Sequence, residues 1–301
     1  MTLRVRKNIY ILFMLLPAFF FLILFYVYPI LFNIKISFTD LNFLRMSEKP
    51  KFIAFSNYWD FLKSKDFFNV LFNTAFWLTF VTILIRLILG LLIALLLNSN
   101  TLKRLRLAGL LRTLVLIPWA TPPVVAVFTW RWLLQQQSGL VNIVLLSMGI
   151  IKDPIAFFGD IKVVWFSVVA IIVWNNLPFV VIVFLAALQS IPNELYEAAQ
   201  VDGAGKISSF FYITLPLILP TISITTLLTV FWTFNNFVYV WLTTAEGPGT
   251  FTSVLATRIY TKAFFEYKLG YSSAIGMIMS FIVFVFAIFY LKFVLSKRLE
   301  I

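Results

Sequence analysis

The sequence contains no cysteine and no histidine. The first absence excludes disulfides, a thiol nucleophile and thiolate metal ligands. The second removes the commonest proton shuttle and metal ligand. Charge is scarce too, at 12% of 301 residues against roughly 25% in soluble domains. With 61% hydrophobic residues and a mean hydropathy of +0.97, the chain is built for lipid as its main solvent. The net charge of +12 does not argue for nucleic acid. The basic residues sit in short juxtamembrane clusters, where they serve anionic headgroups and topology.

An α-helix needs about 20 apolar residues to cross the hydrocarbon core. Six segments qualify, at 9–32, 70–97, 111–133, 163–188, 214–242 and 271–294. The expected fold is therefore an all-α polytopic membrane protein with six transmembrane helices. The stretch from Asn8 to Ile34 follows Arg4, Arg6 and Lys7 and is too long for a signal peptide. It reads as a retained first span whose end is interrupted by Pro29. Pro118, Pro122 and Pro123 fall in the third span, Pro178 in the fourth, Pro216 and Pro220 in the fifth. Proline frees backbone carbonyls, and membrane depth tolerates these only beside other helices or water. The run from Ile207 to Ala245 exceeds one span, so its first part is assigned to a cytoplasmic hairpin, with Pro216 and Pro220 marking the turn into the membrane. Lys103, Arg104, Arg106 and Arg112 after the second span, and Lys292, Lys297 and Arg298 at the end, favour both termini inside. The 34–69 loop holds six basic residues, diluted over a longer segment.

Between the fourth and fifth spans lies a polar island, Glu197-Ala198-Ala199-Gln200-Val201-Asp202-Gly203, followed after nine residues by Ile213-Thr214-Leu215-Pro216. Pro192 suits a helix start, and Glu194 and Glu197 suit the positive end of its dipole. Ala198 and Ala199 form helix readily and keep one face narrow. Gly203 and Gly205 can supply the positive φ that ends the helix. A second short helix is expected from Lys206 towards Tyr212. Gly203-Ala204-Gly205-Lys206 is no phosphate loop, because Gln200 stands where its first glycine belongs and Ile207 where Ser or Thr belongs.

All twelve acidic residues lie outside the six cores, which deprives a proton-coupled carrier of its usual parts. Arg86 is the clear basic residue within a span; pairing with carbonyls or snorkelling accounts for it more simply than a direct role in transport. Arg131, between Trp130 and Trp132, has the pattern of an interfacial anchor. Neutral polar groups remain: Trp174-Asn175-Asn176 before Pro178, and Trp232-Thr233-Phe234-Asn235-Asn236-Phe237. On a continuous helix Thr229, Trp232, Thr233 and Asn236 share one face. Such a face fits a hydroxyl-rich ligand, with amides bonding hydroxyls and aromatic rings covering the apolar side of a sugar. It equally fits interhelical glue, which Asn and Thr commonly supply.

The island matches at every fixed position the EAA loop (EAA, three residues, G, nine residues, I-x-L-P), and so resembles the membrane subunits of binding-protein-dependent ABC importers. Phe52-Ile53-Ala54-Phe55-Ser56-Asn57-Tyr58 resembles the family's F-V-G-L-x-N-Y, with alanine in place of glycine. The fifth span is similar to that of maltose-type sugar permeases, which carry F-N-N-F there and a tryptophan before a proline in the fourth. Glu246-Gly247-Pro248 departs from the family's G-G-P, and the double asparagine departs from the maltose example. The resemblance implies a type I ABC importer permease fold with a cytoplasmic coupling hairpin. It divides the chain into 1–69 (first span and extracytoplasmic loop), 70–294 (core permease domain) and 295–301 (cytoplasmic tail). It implies sugar contacts at Asn176, Thr229, Trp232, Thr233 and Asn236, with Asn175 and Phe179 as further candidates. ATPase coupling falls to Glu197, Ala198, Ala199, Asp202, Gly203, Ile213, Leu215 and Pro216. The implied partners are a second permease subunit in a heterodimer, cytoplasmic ATP-binding subunits that hold ATP and Mg, and an extracellular solute-binding protein. The chain itself would bind no cofactor, catalyse no covalent chemistry and reside in a bacterial or archaeal cytoplasmic membrane. The alternative is a self-sufficient secondary carrier or channel for a neutral polar solute.

Six spans with both ends inside make a labelling prediction. Single cysteines placed in this cysteine-free chain should react from outside at Ser56 and Ser138, and from inside at Ser99 and Ser208. External reaction at Ser208 would overturn the topology.

Overall fold

The computed structural model describes residues 3–45, 47–99, 102 and 107–292. The basic clusters at 103–106 and 297–298, and the tail 295–301, lie outside the described residues. The described residues are helical, with isolated bridges in place of strands. Among the described residues, five helices are long and apolar enough to cross a membrane: α1 (Leu12–Ser37), α3 (Phe67–Asn98), α7 (Val164–Gln189), α9 (Lys206–Phe234) and α12 (Leu269–Tyr290). A bent pair, α4 (Ala108–Ala120) and α5 (Pro123–Leu133), supplies the sixth. Shorter helices are α2 (Ser56–Leu62), α6 (Leu140–Ser147), α8 (Asn193–Val201), α10 (Val238–Thr244) and α11 (Leu255–Tyr260).

Three expectations about the spans are corrected. The first span does not stop at Pro29. A widened π turn at Ile23–Val27 precedes the proline, and α1 runs on to Ser37. The third span is not one helix: its halves meet at 94° across Thr121 and Pro122. Pro122 and Pro123 supply no N–H to continue the ladder. In the fifth, Pro216 and Pro220 mark no turn. A π turn at Phe210–Thr214 accommodates the lost donor, and the helix continues unbroken from Lys206 to Phe234. The break comes later, at Asn235–Phe237.

The chain divides into two compact units, Met1–Phe67 with Arg258–Phe281, and Phe68–Thr257 with Ile282–Ile301. In the first, the Phe52–Tyr58 motif is a local clamp. Asn57 is buried and its amide donates to Ser37 O (2.9 Å) and Thr39 O (2.8 Å). The Tyr58 hydroxyl lies 2.6 Å from Ser37 Oγ. Ala54, where the family has glycine, sits at φ +49°, a conformation costing an L-residue about 1–2 kcal/mol. Gly270 has no such choice, since a Cβ there would lie 1.9 Å from Thr39 O. Lys262 and Lys268 flank Glu266 at 2.5 and 2.9 Å. Partial burial alone would raise this carboxyl, but the two ammonium partners outweigh it and hold it below its ordinary value.

The second unit is organised around α7, whose Val/Ile-rich sequence is apolar all round and therefore suits burial. Val168, Ile171 and Ile172 anchor one apolar cluster, and Val180, Val181 and Phe184 another. Helix α3 packs along α7, and Gly90 permits the approach: a Cβ there would meet Val180 Cγ1 at 2.6 Å. Small residues at such crossings let backbones come together. Gly90→Leu should therefore overpack the crossing by about 1–3 kcal/mol and lower the thermal midpoint of the purified protein. Gly90→Ala should lose less, and Val180→Ala should recover most of that loss. Undiminished stability of the leucine variant would show the crossing to be loose.

Candidate coupling hairpin and polar core site

Helix α8 has no buried residue. It ends in a Schellman turn: Ala204 N–H donates to Ala199 O (2.8 Å) and Gly203 N–H to Gln200 O (3.0 Å). Gly203 stands at φ +78° with open space where a Cβ would go, whereas Gly205 is at φ −76° and begins α9. Gly203 thus makes the turn. Glu197, Ala198, Asp202, Gly203 and Pro216 are exposed, and Ala199, Ile213 and Leu215 are half-buried. Val201 is 88% and Tyr212 81% exposed. Tyr196 Oη and Thr214 Oγ1, 2.9 Å apart, tie the two arms together. A polar cavity of about 690 Å³ lies beneath, lined by Asn98, Asn193, Glu197, Gln200 and Lys206 among others. The hairpin presents acids, small residues and bare apolar side chains to whatever lies beyond.

Inside the bundle, the polar groups do not share one surface. Asn175 is buried and donates to Pro118 O (2.5 Å) and Thr121 O (3.1 Å), two carbonyls at the end of the first half of the third span. Tyr239 donates its hydroxyl to Asn175 Oδ1 and accepts from Asn176 Nδ2 at 3.0 Å. Asn176 also donates to Ile172 O (2.9 Å). Two breaks, after Ala120 and after Phe234, are thereby tied to α7.

The common face expected for Thr229, Trp232, Thr233 and Asn236 is corrected at Asn236, which lies beyond the end of α9 at Phe234, while the other three remain on that helix. Thr229 is buried and spends its hydroxyl on Thr225 O (2.8 Å) within its own helix. Thr233 is buried and accepts from Arg86 Nη2. Trp232 is 56% exposed. Asn236, half-buried beyond the helix, accepts from Tyr239 N–H (3.3 Å) and so starts α10. Asn235 donates to Phe231 O (2.8 Å) and closes α9. Phe179 meets Trp232 edge to face, centroids 5.1 Å apart. Trp119, on the last turn of α4, lies 6.1 Å from Phe179, the two rings tilted by 47°. The sequence reading missed Trp119, although Pro118 and Pro122-Pro123 bracket it.

Arg86 is only 3% exposed. Its partner Thr233 lies in the last turn of α9, where free carbonyls give a helix its negative end. Arg131 donates to Leu242 O (2.9 Å) near the end of α10. Glu246, where the family has glycine, is at φ +74°.

Residues 87–301 match the family model of the binding-protein-dependent transport system inner membrane component. The chain belongs to that family. It is 35% identical to the trehalose/maltose transport system permease protein MalF of Thermococcus litoralis, covering 93% of this chain and 91% of that one. It is 33% identical to the diacetylchitobiose uptake system permease protein DasB of Streptomyces coelicolor, covering 95% and 86%. The fold matches that of a bacterial ABC transporter involved in import of the acidic polysaccharide alginate, with a TM-score of 0.83, 24% identity and coverage of 98% and 97%. The all-helical type I importer permease fold is thus established for this inner-membrane component. The family is one of transport components, and its description indicates no catalytic activity.

Asn175 serves backbone carbonyls, and Asn236 only a helix start. Asn175→Leu should cost about 1–3 kcal/mol for each buried group left unpaired, seen as a lower thermal midpoint. Asn236→Leu should change stability far less. Equal losses would contradict the division of labour.

Proposed function

We propose that this chain is a permease subunit of an ATP-driven importer that carries a mono- or oligosaccharide across the cytoplasmic membrane. The carrying observation is the hairpin: an exposed, glycine-terminated helix whose second arm is itself the fifth span. Helix α9 runs 29 residues without interruption, ~43 Å at 1.5 Å per residue. An ATPase subunit that seats α8 and closes on ATP would move the far end of α9, where Trp232 and Thr233 lie. Type I alternation between outward- and inward-open states follows from that rocking. The carbohydrate reading rests on the amides and indoles near the two helix breaks and on the substrates named for the relatives.

An extracellular binding protein delivers the sugar, and a second permease chain completes the path. ATP and Mg are held by the separate ATPase, and this chain needs no cofactor. The proposed coupling surface comprises Glu197, Ala198, Ala199, Asp202 and Gly203, with Ile213, Leu215 and Pro216 holding the second arm. The proposed sugar surface draws on Asn175, Asn176, Phe179, Thr229, Trp232, Thr233 and Asn236. Of these, Phe179, Trp232 and Asn236 would touch the sugar directly, whereas Asn175 would act by holding the break after Ala120 and Thr233 by holding the end of α9.

The test is uptake of maltose, trehalose and diacetylchitobiose by proteoliposomes holding the permease pair, its ATPase and its binding protein. At least one sugar should accumulate only with ATP. Ala199→Arg should preserve assembly of the permease pair while reducing ATP-driven uptake roughly tenfold or more, because bulk on the narrow face prevents seating. Accumulation without the ATPase would favour a secondary carrier, and normal uptake by the arginine variant would remove the hairpin from coupling.

A further inference from the structure

The first unit leaves an aromatic patch bare at the point where its span ends. Phe52, Phe55 and Trp59 are 75%, 68% and 58% exposed. Phe55, Trp59, Leu62 and Lys63 fall at i, i+4, i+7 and i+8 about α2, so they share one side of it. Trp59 N–H donates to Phe55 O and Lys63 N–H to Trp59 O, each at 3.0 Å, which carries that periodicity through both ends of the helix. Asn57 and Phe61 form the buried side, and Ser56 and Asp60 an exposed polar edge. Lys63 Nζ lies 4.7 Å from the centre of the Trp59 ring.

The span sets the depth of this patch. Helix α1 has 26 residues from Leu12 to Ser37, about 39 Å at 1.5 Å per residue. The hydrocarbon core is about 30 Å thick, so a helix of this length carries its ends into the headgroup layers. Helix α2 is clamped to that end by Asn57 on Ser37 O and Thr39 O, and by Tyr58 on Ser37 Oγ. Phe52 bridges to Thr39. Phe38, the first residue past the span, packs on Phe55 and Phe52, with ring centroids 5.2 and 6.3 Å apart. The patch therefore stays in the layer where the span ends.

We infer that this side of α2, together with Phe52, is a membrane-surface anchor seated among the headgroups and glycerol backbones of the outer leaflet. It does not depend on which solute is carried. Aromatic side chains favour this layer because their apolar bodies leave water while a polar tip stays wet. Lys63 suits it as well, its stem lying along apolar surface and its ammonium reaching the phosphates. The same lysine counts against a protein occupant, since the centres of protein interfaces are depleted of lysine. Ser56 and Asp60, on the polar edge, face water.

The experiment uses the assembled transporter, with cysteine-free partner subunits, in vesicles of phosphatidylethanolamine and phosphatidylglycerol. Phe55→Cys, Trp59→Cys, Leu62→Cys, Ser56→Cys and Asp60→Cys, made singly in this cysteine-free chain, each carry a nitroxide. Its relaxation is read with oxygen, which concentrates in lipid, and with a water-soluble nickel chelate. The ratio of oxygen to chelate accessibility should be roughly threefold or more higher at 55, 59 and 62 than at 56 and 60. One ratio at all five positions would place the patch in water and overturn the inference. Shielding of 55, 59 and 62 from both agents would make the second permease the occupant and also overturn it. Shielding that appears only after the binding protein is added would assign the patch to that protein, with the same result. If Trp59→Cys alone fails to assemble, positions 55 and 62 decide. Failure of all three to assemble would mark the patch as a packing surface and overturn the anchor.

Discussion

Backbone carbonyls that lose their usual donor at a broken helix must find another, and in this protein the amide of Asn175 donates to Thr121 O and joins the Thr121 N–H on Pro118 O. The rest of the core follows from meeting this demand. Asn175 is fixed in turn by the Tyr239 hydroxyl, which also takes the amide of Asn176. Tyr239 belongs to the helix that restarts after the second break. One network therefore pins both breaks to α7, the most buried of the candidate spans. A network of this kind is worth most when every member is satisfied. Asn175 meets two carbonyls and a hydroxyl, which accounts for its burial without any ligand.

The consequence for transport is a separation of tasks. Side chains that close backbone groups lie inside, while Trp119, Trp232 and Asn235 remain accessible at the same level of the bundle. Arg86 joins the inner set by capping the end of α9 through Thr233. A cation in the middle of a span is usually a functional signal. Here the helix terminus offers it partial negative charge and a hydroxyl.

The sequence was most legible where structure is local. The hairpin follows from a proline before its first helix, two alanines and one glycine at the turn, and each stands where those residue types are needed. The spans followed from hydropathy to within a few residues in several cases. The breaks did not. Prolines mark the bend after Ala120, but Pro29, Pro216 and Pro220 lie inside continuous helix, in two cases just past a π turn. The break at Asn235–Phe237 contains no proline. It arises because Asn235 caps backward to Phe231 O and Asn236 caps forward to Tyr239 N–H, side chains outbidding the ladder. A face drawn on an uninterrupted helix therefore included Asn236, which the fold sets beyond the helix end. The family glycines replaced by Ala54 and Glu246 are legible only afterwards, since left-handed φ at both positions explains why glycine is usual there.

An unbroken α9 also works in reverse. Coupling between two sites is reciprocal: whatever free energy one site passes to another, it receives back in the same amount. A rod that joins the hairpin to the neighbourhood of Trp232 cannot carry a push from the cytoplasm without also reporting, at Lys206, what has happened near Thr233. An occupied binding region that shifts the end of α9 must change the affinity of the hairpin for its seat. On the proposed coupling, the residues that deliver the stroke also let the motor sense its load.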